Sequence, residues 1–174
     1  MDLQDQLATR IYGSVVIMGI GNPRRGDDAA GSFVVRRIGD VPSGLVIDAQ
    51  DVPEDYLGLA VRQRPDTVIL IDSVDLGSPP GSIALLDKDH MAGYWPTTHR
   101  APLGLLMDYL RQETQARIFL IGIQPRQTDF LRPMSEEVSA SVVLIADMLM
   151  RILEMPRTPA RLAFTAPLRR EVPA

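Results

Sequence analysis

The sequence predicts an α/β fold: a three-layer sandwich with a twisted, mostly parallel five-stranded sheet and helices on both faces. Three observations carry this. Continuous apolar runs at residues 15–20, 67–71 and 117–123, and a shorter one at 45–47, each stop at a glycine, an acid or a glutamine, which fits strands buried on both faces. Between and after them lie segments with helical periodicity. Strand and helix therefore alternate, the pattern that folds as a sheet sandwiched between helical layers.

In chain order, residues 1–12 read as a short polar lead, partly helical. The first strand, residues 15–20, turns on Gly19 and Gly21 and reaches Asp27-Asp28. Asp27 is the expected N-cap of a helix whose core face is Ala30, Phe33, Val34 and Ile38. The second strand, residues 45–47, ends at Asp48. Pro53-Glu54 opens a helix running to about Arg62, and Arg64-Pro65-Asp66 breaks it. The third strand, residues 67–71, ends at Asp72. The link that follows, Gly77-Ser-Pro-Pro-Gly81, is too short for a parallel crossover, so the fourth strand, residues 82–86, is expected to run antiparallel to the third. Residues 87–98 form an irregular loop. Leu103, Leu106, Met107 and Leu110 then mark a helix, residues 117–123 the fifth strand, and 124–134 a loop. Ser135 caps a last helix, with Glu136 and Glu137 in its first turn and Val138, Val142, Ile145, Leu149 and Ile152 on its core face. Pro156, Pro159, Pro167 and Pro173 then forbid one regular helix. The expected division is a single domain over residues 1–155 and a Pro/Arg-rich tail over 156–174.

Composition narrows the function. The chain has 174 residues, 45% hydrophobic and 23% charged, enough for one soluble domain with its own core. A net charge of −4 gives no reason to expect nucleic acid or an anionic membrane as partner. There is no cysteine, which excludes disulfides, a thiol nucleophile and thiolate metal ligation. The start, MDLQDQLATR, is not a secretory signal, and no apolar run reaches transmembrane length. A cytoplasmic monomer is the expectation.

In parallel sheets ligands sit beyond the carboxyl ends of the strands, at a switch point. Asp28, Asp48, Asp72 and Gln124 all follow strand ends on that edge. Gly19-Ile-Gly-Asn22 lacks the third glycine of a dinucleotide fingerprint, Arg24 standing in its place. Asp48 nevertheless occupies the position of a ribose-binding acid. Of the pair Asp27-Asp28, one suffices as a cap, leaving the other to point over the strand ends. Asp72 is desolvated on its protein side and requires amides, arginine or a cation as partner. His99 is one of two histidines; alone in a loop it reads as plain surface. Two carboxylates and one imidazole from three segments nevertheless make a divalent metal site suited to nickel, zinc or manganese. His90 is the weaker choice. No H-E-x-x-H, G-x-S-x-G or cysteine nucleophile is present.

Four motifs in fixed order give the chain a family resemblance. They are Gly19-x-Gly-Asn…Asp27-Asp28-x-x-Gly31, then Ile71-Asp72-Ser-Val-Asp75-x-Gly77-x-x-Pro80-Gly81, then Thr97-Thr98-His99-x-x-Pro102-Leu103, and finally Ile121-Gly122-Ile123-Gln124-Pro125 followed by Met134-Ser135-x-x-Val138. Together they resemble the hydrogenase maturation proteases, the endopeptidases that trim the C-terminal extension of the large subunit of nickel–iron hydrogenases. The resemblance spans residue 15 to about residue 154. It implies a phosphorylase/hydrolase-like sandwich and an aspartic-type endopeptidase that activates its substrate enzyme. It also implies a three-residue site of Asp28, Asp72 and His99, both catalytic and metal-binding. By the same resemblance, the expected metal is the nickel carried by the precursor large subunit, with zinc or cadmium as stand-ins in the isolated protein. Gly21, Asn22, Asp48 and Gln124, on the same edge, are the expected substrate-binding residues. The THRAPL and IGIQP wording is closest to the branch serving energy-conserving or formate-linked hydrogenases, whereas residues 48–54 depart from the glycine-rich loop common at that point.

Two other readings stand beside this one. Peptidyl-tRNA hydrolases also begin with a GIGNP-like turn, but they call for a histidine–asparagine pair and a basic face. A non-cleaving nickel- or subunit-binding chaperone would carry the same ligands.

Overall fold

The computed structural model describes residues 2–42, 44–87 and 103–154. His90, His99 and the tail at 156–174 lie outside the described residues, so the expectations about them are not addressed by the fold. Five strands, β1 (Val15–Ile20), β2 (Gly44–Gln50), β3 (Thr67–Ser73), β4 (Ile83–Leu86) and β5 (Arg117–Ile123), form one sheet of order β2-β1-β3-β5-β4. β1 pairs in parallel with β2 and β3, and β3 with β5; β4 alone is antiparallel, at the edge. The fourth strand thus runs in the expected direction, but its neighbour is β5, not β3. The helices are α1 (Leu3–Arg10), α2 (Ala30–Ile38), α3 (Leu57–Arg62), α4 (Leu103–Thr114) and α5 (Glu136–Glu154).

The continuous apolar runs separate into two cores by their period of two. Val15, Ile17, Ile69, Ile71, Phe119 and Ile121 face one way, into a core shared with α1, α2 and α5. Val16, Met18, Val68, Leu70, Ile118 and Leu120 face the other, where α3 and α4 cover them. This is the three-layer arrangement, and every residue of β1 is buried because both faces are roofed. The expected core stripes of α4 and α5 are largely met: Leu106, Met107 and Leu110 are buried, as are Val138, Val142, Ile145, Leu149 and Ile152. Phe33 is a correction. It is 43% exposed and lies under the Arg36 guanidinium, 5.7 Å from ring centroid to Cζ. Residues 30–32 and 34–35 fill the buried face instead, because the closest contact with the sheet is made by a glycine.

That glycine is Gly31. A Cβ there would overlap the carbonyl oxygens of Ile71 and Ile20 and stand 2.7 Å from the Ile20 amide nitrogen. All are backbone atoms, which cannot rotate away. The absent side chain lets α2 sit on the ends of β1 and β3, the strand that leads into the Asp28 turn and the strand that carries Asp72. Gly31→Ala is expected to lower stability by about 2–3 kcal/mol, the overpacking range. For a chain of this size that is a fall in Tm of roughly 4–12 °C, read by circular dichroism.

Candidate active site

The chain leaves β1 to the β2 side and later returns to β3 on the other side of β1. The switch point is therefore between the carboxyl ends of β1 and β3, and both candidate carboxylates lie there. Register shifts between Gly19 and Ile20 against β2, and the Gly21 amide donates to Gln50 O at 2.7 Å. This bulge turns the chain out of the sheet. Gly21 has φ +137°, open to glycine and not to other residues, and a Cβ there would overlap Asp28 O. Its role is to let the turn close against Asp28.

Asp28 is held by its own turn. The Asn22 amide donates to its Oδ2 at 2.9 Å, and the Ser73 hydroxyl lies 3.4 Å from its Oδ1. Asp72 is 5% exposed, and its Oδ1 accepts the Ser73 amide at 2.8 Å. Ser73 thus contacts both carboxylates, one through its amide and one through its hydroxyl. Two acids distant in sequence are brought onto one residue at the end of β3. Sequence reasoning passed over Ser73; the signal available was its place between Asp72 and the turn, where a hydroxyl can reach across to a neighbouring strand end.

Asp27 differs from its expected role. No side chain caps α2, which is entered through a 3-10 turn over Gly26–Ala29. Asp27 is fully buried, and its carboxylate accepts from the amides of Arg126, Gln127 and Ser135 at 2.7, 3.1 and 2.6 Å and from the Ser135 hydroxyl at 2.9 Å. It fastens the loop between β5 and α5 to the turn that presents Asp28. The adjacent acids have separate duties, one inside the protein and one over the strand ends.

The other expected binding residues are largely spoken for by the fold. Asp48 accepts Ser32 Oγ at 2.6 Å and Arg36 Nε at 2.7 Å, so it ties β2 to α2. Gln124 is 8% exposed. Its Oε1 accepts the Leu76 and Ser78 amides at 2.6 and 3.3 Å, while its Nε2 donates to Asp75 Oδ1 and Pro125 O. It shapes the loop after β3 from beneath. Gln124→Leu, which keeps bulk and removes the acceptor, is expected to cost about 1–3 kcal/mol by stranding those amides; urea denaturation would measure it. Asn22 remains at the site: besides its amide on Asp28, its Nδ2 donates to Asp51 Oδ2 at 3.0 Å and its Oδ1 accepts the Arg24 amide at 2.9 Å. Asp51, not singled out from sequence, joins the turn after β1 to that after β2.

Oxygen donors held by amides and a hydroxyl suit a divalent cation, and adding an imidazole would give the mixed oxygen–nitrogen set that nickel and zinc accept. Among the described residues no cluster of three such ligands occurs, and none of their helices is long and apolar enough to cross a membrane.

Comparison with known proteins bears on the family and the fold. A family model described as hydrogenase maturation protease matches residues 34–152. The hydrogenase 3 maturation protease of Escherichia coli K12 is 36% identical over 131 residues, 73% of this chain and 83% of that protein. The crystal structure of a [NiFe] hydrogenase maturation protease, HycI, from Thermococcus kodakarensis matches with a TM-score of 0.80 at 31% identity, covering 88% of this chain and 99% of that one. The solution structure of an endopeptidase HycI from Escherichia coli matches with a TM-score of 0.73 at 29% identity, covering 79% and 90%.

Proposed function

The chain belongs to the hydrogenase maturation protease family, and on that premise we propose that it removes the C-terminal extension of a nickel–iron hydrogenase large subunit once nickel has been inserted. Its class is thereby given: it is a peptidase, a hydrolase of hydrogenase maturation. The observation that carries the finer reading is the meeting of Asp28 and Asp72 on Ser73 at the β1/β3 switch point.

In this reading the metal arrives with the substrate. Asp28, Asp72 and, from the Thr-Thr-His motif, His99 receive the nickel-bearing face of the precursor. A bound divalent ion supplies Lewis acidity toward a scissile carbonyl or a water. The chain's own residues hold the geometry. The Asn22 and Ser73 amides and the Ser73 hydroxyl fix the two carboxylates before the substrate arrives, so little ordering remains to be done on docking. An aspartic-type activity is part of the same proposal, with Asp28 and Asp72 as the two carboxylates that contact Ser73.

Incubation with unprocessed large subunit, with and without loaded nickel, and read by intact mass, tests the proposal. Loss of a C-terminal peptide from the nickel-loaded form alone is the expected result. Binding without cleavage of either form would instead support a subunit-binding chaperone.

A further inference from the structure

The loop that Asp27 fastens carries a feature that catalysis does not use. At its tip Phe130 is 56% exposed and Leu131 75% exposed, the largest exposure among the big apolar side chains of the described residues. Leu131 also has φ +60°, a left-handed backbone that a leucine adopts only at a cost. The tip is nevertheless tightly built. Gln127 donates to Pro133 O and accepts the Asp129 amide, and the Leu131 amide donates to Arg24 O at 2.7 Å. That last bond joins the tip to the turn holding Asp28. An ordered loop that holds an aliphatic side chain in water, at backbone strain, is maintained for contact rather than for stability.

Arg132 directly follows Leu131 in the chain, and Arg24, whose carbonyl accepts the Leu131 amide, is followed by Arg25; all three arginines are exposed. Among the described residues none of these guanidinium groups has an ion-pair partner. The tip itself contributes one acid, Asp129. In a chain of net charge −4 this is a local excess of positive charge around an apolar centre. Such an arrangement favours an acidic partner that offers an apolar side chain.

We propose that the Phe130–Leu131 tip and its arginine rim form a docking surface for an acidic, apolar-bearing segment of the precursor subunit. The surface is continuous with the site through Arg24 and the adjacent turn, so a substrate seated over Asp28 reaches it. This rests on the functional reading above. The expected consequence is specificity expressed in binding, with the chemistry untouched.

The test uses the full chain and nickel-loaded precursor, with dissociation constants and cleavage kinetics measured separately. Phe130→Ser with Leu131→Asn removes the apolar centre, and asparagine accepts the positive φ. Arg25→Glu with Arg132→Glu inverts the rim. Each pair is expected to raise Kd and KM about tenfold or more with kcat within about twofold. The wild-type Kd should weaken with salt, and the rim variant should lose that dependence. Leu131→Asn alone should leave Tm unchanged or higher. Unchanged Kd in both pairs, or a loss of activity that merely follows a falling Tm, would overturn the docking surface. A change confined to self-association would overturn it too, assigning the patch to a second copy of this chain. Wild type that binds in the expected way without cutting would retain the docking surface and remove the protease reading. Wild type that cuts while the variants bind equally well would do the reverse.

Discussion

Asp28→Asn and Asp72→Asn should each reduce cleavage of nickel-loaded precursor by at least about a hundredfold, with the fold retained. Asparagine is close in shape to aspartate, and its remaining oxygen can still accept the Asn22 amide at position 28 or the Ser73 amide at position 72. What disappears is the negative charge and one oxygen donor, and these are the properties a cation-bearing substrate would read. A fall of that size with a Tm within a few degrees of wild type separates chemistry from folding. His99→Ala should follow the same direction. Ser73→Ala should have a smaller effect, since it loses the hydroxyl near Asp28 and keeps the amide on Asp72. Intact-mass time courses measure all four; full processing by both aspartate variants would remove the site assignment.

The neighbouring acid predicts the opposite phenotype. Asp27→Ala should lower stability by about 3–5 kcal/mol, since an unsatisfied buried donor costs roughly 1–3 kcal/mol and several lose their acceptor together. The carboxylate is wholly buried and takes hydrogen bonds from Arg126, Gln127 and Ser135. Alanine would leave those amides inside the protein with no acceptor. Asp27→Asn is a sharper probe: it keeps the volume but turns an amide N–H₂ toward donors on one side. It should retain part of the stability, and hydrogen exchange should show the loop between β5 and α5 opening first. Urea denaturation that finds less than about 1 kcal/mol for Asp27→Ala would contradict the fastening role. Acids adjacent in sequence should therefore divide cleanly, Asp28 into activity and Asp27 into stability.

Each of these residues shows how much of the molecule was readable beforehand. Local pattern located the strands, since a continuous apolar run bounded by turn residues is a direct record of burial on both faces. With the alternation of helices it gave the three layers. Asp28 and Asp72 were likewise legible, because strand ends on one edge of a parallel sheet are where ligands gather, and both follow apolar runs. The motif resemblance then singled out the same pair. Ser73, Asp51 and the exposed Phe130–Leu131 tip carried no periodic signal, since each acts through contacts or exposure that only the folded chain defines.

The sequence by itself determined the layers, and it placed Asp28 and Asp72 at the same strand edge, where the structure brings both against Ser73, because these depend on spacing along the chain. Only the tertiary structure decided what each polar group binds. It sent Asp27 to amides about a hundred residues away, Asp48 to α2 and Gln124 beneath the loop after β3, and it paired β4 with β5. The physical reason is that apolar burial is set by local periodicity, whereas a buried carboxylate or amide takes whichever partner the packed layers bring within about 3 Å, and spacing along the chain does not encode that partner.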